Sequence, residues 1–279
     1  MEHVFDILPL VLLLMSLGAV AGFMAGLLGV GGGIVLVPGL YYVFSSLQPN
    51  YGFDPSYLMH LSVATSLAII VPTGSSSAFS HYKKGSVDFE LLKAIGIGIV
   101  IGVLISTWIA KGLDGQTMRM IFATAVLLLA FIMILGRARF QAEGAPPKQP
   151  KTTFAGVVIG GISALIGIGG ATLSVPYMSM HGVSMHRAVG TASALGLVIS
   201  IPATIGYIVI GWGLDNLPPY SLGYVNMLAW ICIIPVSVLI APLGAKAAHK
   251  ISVRRLKITF SVFMIIVALN MWRKILMGA

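Results

Sequence analysis

The segment Gly26 to Pro38 reads Gly-Leu-Leu-Gly-Val-Gly-Gly-Gly-Ile-Val-Leu-Val-Pro, and it recurs 138 residues later as Ala164 to Pro176, Ala-Leu-Ile-Gly-Ile-Gly-Gly-Ala-Thr-Leu-Ser-Val-Pro. Both copies lie inside strongly apolar sequence. A run of glycines there interrupts a helix and frees backbone groups, which survive at membrane depth only where protein or a watery cavity surrounds them. Paired breaks in corresponding halves point to a binding site near the bilayer midplane.

Composition sets the medium. Hydrophobic residues make up 57% of the 279, charged residues only 9%, and the mean hydropathy is +0.98. Such a chain is an all-α polytopic membrane protein in a lipid bilayer. Its first apolar run carries Glu2 and Asp6 and no Lys or Arg, unlike the basic start of a cleaved signal, and is read as a retained helix. Cys232 stands alone in apolar sequence and is read as a packing residue. The net charge of +9 does not indicate nucleic acid, because the basic residues sit in short loops, where they orient a membrane protein.

Apolar spans fall at about 5–28, 34–47, 57–80, 89–110 and 117–136, and again at about 154–168, 171–182, 187–212, 221–247 and 255–273. Residues 137–153, with Arg137, Arg139, Lys148, Lys151 and three prolines, form a hydrophilic linker between a first repeat, 1–136, and a second, 154–279. The offset of 138 also relates Gly18 and Gly22 to Gly156 and Gly160. It drops to 126 for His60, Val63, Thr65, Ala68 and Gly85 against His186, Val189, Thr191, Ala194 and Gly211. The first half therefore carries a 12-residue excess, assigned to a polar loop at Ser45 to Pro55.

The basic residues decide how often each half crosses. With each glycine break inside one crossing, the sixteen basic residues other than Lys93 divide eight to eight and orient nothing. With the chain turning back at each break, Lys83, Lys84, Arg137, Arg139, Lys148, Lys151, Arg187, Lys246, Lys250, Arg254, Arg255 and Lys257 share one side against Lys111, Arg119, Arg273 and Lys274. Twelve against four is a positive-inside bias. Each half then has five elements, a glycine-broken hairpin plus three further transmembrane helices. An odd number inverts the halves about an axis in the membrane plane and puts both termini outside. The elements after the breaks are shorter than the ~20 residues of a full span, and are expected to be hairpin arms meeting at the midplane.

All eight acidic residues lie at span ends, in loops or at the amino terminus. That argues against a carboxylate metal site and against the usual acidic proton relay. It suits an anion held by helix amino termini, where unpaired N–H groups and the dipole supply positive potential. The candidate substrate-binding set is Gly29, Gly31, Gly32, Gly33, Ile34 and Pro38 at the first break, and Gly167, Gly169, Gly170, Ala171, Thr172 and Pro176 at the second. Thr65, Ser66, Thr191 and Ser193 add neutral donors.

Each feature has a plainer reading. Gly18 and Gly22 form a small-xxx-small packing pair. Thr65, Ser66, Thr191 and Ser193 could bond their own helix carbonyls. His60 and His186 are read as capping or interfacial residues in preference to a proton relay, His81 and Tyr82, beside Lys83 and Lys84, as a solvated loop with attraction of anions as the lesser reading, and Asp88 and Asp215 as helix caps. The glycine run lacks the Lys-Ser/Thr of a phosphate loop, and no GxSxG, HExxH or Cys/His cluster is present. No catalysis, metal or cofactor is expected. A permease for some other small anion or a metal ion, or a structural membrane protein, are the competing readings.

The doubled Gly-x-Gly-Gly-(Gly/Ala)-x-x-x-Val-Pro pattern at Gly29 to Pro38 and Gly167 to Pro176 is followed in each half by a Thr-centred segment, Val63-Ala64-Thr65-Ser66 and Val189-Gly190-Thr191-Ala192. In these features, and over essentially its whole length, the chain resembles the TauE/SafE family, also called the 4-toluene sulfonate uptake permease family. The resemblance implies a permease of the bacterial inner membrane for sulfite, sulfoacetate or other organosulfonates, working chiefly in export. The chain departs from exact repetition at Ala171, Thr172 and Ser174, which stand where the first copy has Gly33, Ile34 and Leu36, so the site is expected to be asymmetric. The membrane potential assists anion efflux by roughly 2.3 kcal/mol per charge per 100 mV. Uptake would need coupling to protons or sodium, for which no residue is legible.

Overall fold

The computed structural model describes residues 2–28, 32–135, 149–248 and 253–277. The first half forms α1 (Glu2–Leu28), α2 (Gly33–Tyr51), a 3-10 turn (Pro55–Tyr57), α3 (Leu58–Lys83), α4 (Phe89–Lys111) and α5 (Gly115–Leu135). The second forms α6 (Lys151–Ile166), α7 (Ala171–Met180), α8 (Met185–Ile210), α9 (Met227–Ala248) and α10 (Val253–Leu276). A two-residue antiparallel hairpin, β1 (Ser221–Leu222) with β2 (Val225–Asn226), precedes α9. Among the described residues seven helices, α1, α3, α4, α5, α8, α9 and α10, are long and apolar enough to cross a membrane.

Glycines set which helices touch. A Cβ on Gly18 would lie 2.8 Å from the Ile233 carbonyl oxygen, and one on Gly22 2.4 Å from that of Ser237, so α1 and α9 meet backbone to backbone. The matched Gly156 and Gly160 do the same against Ile95 and Ile99, joining α6 to α4. The packing reading of these pairs holds. Each half thus lends its first helix to the fourth helix of the other. Residue numbers rise together in both contacts, so both pairs run parallel. In the middle, α3 and α8 run antiparallel, with Ser77 Oγ 3.4 Å from Ser193 Oγ and Gly74 against Leu197. Helix α3 is the central post: 72% of its most apolar 18-residue stretch is buried, against 22% for α1 and α9.

One apolar core runs through these helices, with Leu61, Leu67 and Ile69 of α3, Ile95 and Ile99 of α4 and Phe122 of α5 all fully buried. Outward faces carry Trp108, Leu239 and Ile266, more than half exposed, as helices facing lipid require.

Two expectations are corrected here. The 12-residue excess is not a polar loop, because α2 continues through Ser45 to Tyr51 and ends only where Gly52 takes the left-handed conformation (φ 64°) and donates its N–H to the Gln48 carbonyl. The hairpin arms are therefore unequal, 19 residues in α2 and 10 in α7. Asp215 lies in a bend before the β hairpin rather than at a helix start. The residue opening α9 is Asn226, whose side chain accepts from the Ala229 N–H. Asp88 does cap α4, accepting from Glu90 and Leu91.

Candidate functional site

The two glycine breaks touch. A Cβ on Gly33 would lie 2.7 Å from the Gly167 carbonyl oxygen and 3.0 Å from Ile168 Cα, so a side chain at Gly33 would drive the breaks apart. Gly167 takes φ 67° and lies against Val37 and Val63, a conformation and a clearance that only glycine satisfies. Ser66 on α3 donates its hydroxyl to the Gly167 carbonyl at 2.9 Å, pairing backbone that the break would leave bare. Gly33, Ile34, Pro38 and Ser66 are buried at this crossing, with Gly32 half-buried beside it. Gly29 and Gly31 lie outside the described residues.

Thr65 and Thr191 act as structural acceptors. Thr65 Oγ1 accepts the Asn226 backbone N–H at 3.0 Å, and Thr191 Oγ1 accepts that of Asp88 at 2.9 Å. Asn226 and Asp88 are themselves 138 residues apart, so each threonine braces the cap of the other half's fourth helix. Arg187 adds an ion pair to Asp88.

Beside the second break opens a cavity of about 400 Å³, within the range of small-molecule sites. Its floor is Gly169, Gly170 and Ala171 at the start of α7. Its walls are Thr73, Gly74, Ser76, Ser77, Ser80 and His81 of α3, Ala192, Ser193 and Gly196 of α8, Ser237, Val238, Ala241 and Pro242 of α9, and Ala25 and Gly26 of α1. No carboxylate is among them. The first-turn N–H groups of α7 have no acceptor within their own helix. The Thr172 and Ser174 hydroxyls behind them are buried without a protein partner. Pro176 continues α7 away from the cavity, half-buried. A smaller hollow of about 150 Å³ among Leu10, Leu14, Phe44 and Phe53 is mostly apolar and offers an anion little.

Of the candidate set, then, Gly169, Gly170, Ala171 and Ser193 line the cavity, while the first break and Ser66 build the crossing next to it. Sequence reasoning missed the α3 hydroxyls. Their signal was Thr73, Ser76, Ser77 and Ser80, which recur at helical spacing on one face. His81 and Tyr82 are not a solvated loop. They lie in the last turn of α3, and His81 lines the cavity. His60, read as interfacial, is buried. It bonds the Ala110 carbonyl at 3.0 Å and stacks on Tyr224 with ring centroids 5.0 Å apart.

The same positions in the other half are filled. Where the cavity has Thr73, Ser193, Ser237 and His81, the matching positions hold Ile199, Leu67, Ile99 and Tyr207, all buried. Among the described residues, the cavity at the second break thus has small or polar side chains where the first half has large buried ones.

Seven apolar spans around two touching helix breaks, with a cavity bearing several hydroxyls at one of them, define a multi-pass membrane transporter. Comparison with known proteins places it more closely: the chain belongs to the TauE/SafE family, whose model, described as sulfite exporter TauE/SafE, matches residues 14–271. A probable membrane transporter protein of Haemophilus influenzae is 36% identical over 95% of this chain and 98% of its own length. One from Methanocaldococcus jannaschii is 26% identical over 96% and 97%, and YunE of Bacillus subtilis 25% identical over 91% and 94%.

Proposed function

We propose that the protein carries a sulfur-containing anion, sulfite or a small organosulfonate, out across the bacterial inner membrane by alternating access between two inverted repeats, 1–136 and 154–279. The observation that carries this reading is the cavity itself. It is rich in hydroxyls, free of carboxylates and floored by the amino terminus of α7, the chemistry that replaces water around a small oxyanion. Antiparallel packing of α3 on α8, its repeat counterpart, supports the inversion. The α3 residues that line the cavity run from Ile70 to His81, in the half of the helix that ends at Lys83 and Lys84. By the positive-inside bias this end is cytoplasmic, both termini are outside, and the state described is loaded from within.

The test is thermal unfolding of the detergent-purified protein. A ligand bound only to the folded state adds about 2.7 kcal/mol of stability at a hundred times its Kd. Sulfite is expected to raise the melting temperature in a saturable way. Stabilisation by divalent cations and not by sulfite would favour a metal-ion permease. No ligand effect would favour a structural protein.

A further inference from the structure

We propose that anion binding in the cavity is linked to protonation of His81, which takes up a proton as the anion enters and returns it to water as the anion leaves. The inference rests on the anion-site reading above. It starts from the cavity wall, where His81 is the titratable group among hydroxyls and small apolar residues.

Hydrogen bonds around the ring assign its tautomer. The Ser86 hydroxyl donates to the His81 carbonyl oxygen at 3.0 Å, so its oxygen presents a lone pair to His81 Nδ1, 3.3 Å away. Nδ1 then carries the hydrogen, and Nε2 is the nitrogen that takes up a second proton.

The groups beside His81 are the positive Lys84, beyond the end of its own helix, and the imidazole of His186, at the start of α8. Asp88, close by in the chain, is engaged by Arg187. Among the described residues, helices α1 and α9 contribute Ala25, Gly26, Ser237, Val238, Ala241 and Pro242 to the cavity, none of them titratable. With the Lys84 ammonium already beside it, a further positive charge on the ring is accommodated when an anion sits in the cavity, and that mutual dependence is the coupling. A histidine suits this task because its unperturbed pKa lies within the physiological range.

Methanesulfonate is the probe, since it keeps its single charge at every pH used and any proton taken up belongs to the protein. Its affinity is measured between pH 5.5 and 8.5, with proton uptake followed by a pH dye in weak buffer. For the wild type, Kd should rise by about tenfold per pH unit above the ring's pKa, and binding in that range should be accompanied by proton uptake. H81Q should bind with an affinity independent of pH and take up no proton, while H186Q keeps the wild-type slope. A slope that survives in H81Q, or one that disappears in H186Q alone, overturns the role of His81 and leaves the anion site standing. Wild-type protein that binds no sulfonate at any pH overturns the anion-site reading, and the inference falls with it.

Discussion

A hydroxyl in an apolar helix is satisfied either by its own helix or by a neighbour's backbone. Thr73 and Ser75 take the first course, donating to the carbonyls of Ile69 and Val71. Thr65 and Thr191 take the second, and their acceptor roles are equivalent in the two halves. The environments differ, because the Asn226 bond is buried and the Asp88 bond only partly so. Replacing either threonine by valine keeps the shape and leaves an N–H unpaired, at about 1–3 kcal/mol where the group is buried. Thr65→Val is therefore expected to lower the melting temperature more than Thr191→Val. The reverse order would contradict the acceptor roles assigned here.

At the scale of elements, a proline shapes the central post. Pro72 inside α3 has no N–H to give the Ala68 carbonyl, and the Trp230 indole of α9 donates to that carbonyl at 3.0 Å. Trp230→Phe should destabilise the wild type, and should cost less in a Pro72→Ala background, which restores a backbone N–H at position 72. A double-mutant cycle by thermal melting measures this, and additivity would refute the link. Much of this level was legible beforehand. The doubled glycine motif marked the two halves and their breaks, and Gly18, Gly22, Gly156 and Gly160 marked helix contacts because backbone approach needs small residues wherever the partner lies. What escaped depended on partners distant in sequence. The donor to the Ala68 carbonyl comes from residue 230 and the brace on Asp88 from residue 191, so neither role could be read from its own helix. The cavity escaped for a similar reason: Ser76, Ser77 and Ser80 resemble the polar end of a span until α8 and α9 close around them. The length of α2 was hidden by Ser45 to Pro55, whose polarity suggests a loop although the first seven of these residues remain helical.

For the whole molecule, the two halves differ at matched positions around the cavity. Among the described residues, the buried Leu67, Ile99 and Tyr207 occupy the positions that Ser193, Ser237 and His81 hold at the cavity. Ser193→Leu therefore writes the first half's residue into the cavity wall. It should block the cavity while sparing the crossing of the breaks, since among the described residues the Ser193 hydroxyl bonds its own Val189 carbonyl and the Ser77 hydroxyl. The direct test of the central claim, that a sulfur anion passes through this cavity, is sulfite flux in proteoliposomes containing wild-type protein or Ser193→Leu, each shown to be folded by its melting transition. The account predicts saturable flux in the wild type and its near-complete loss in Ser193→Leu. Equal flux in the two proteins, or no sulfite flux in folded wild type, would contradict it.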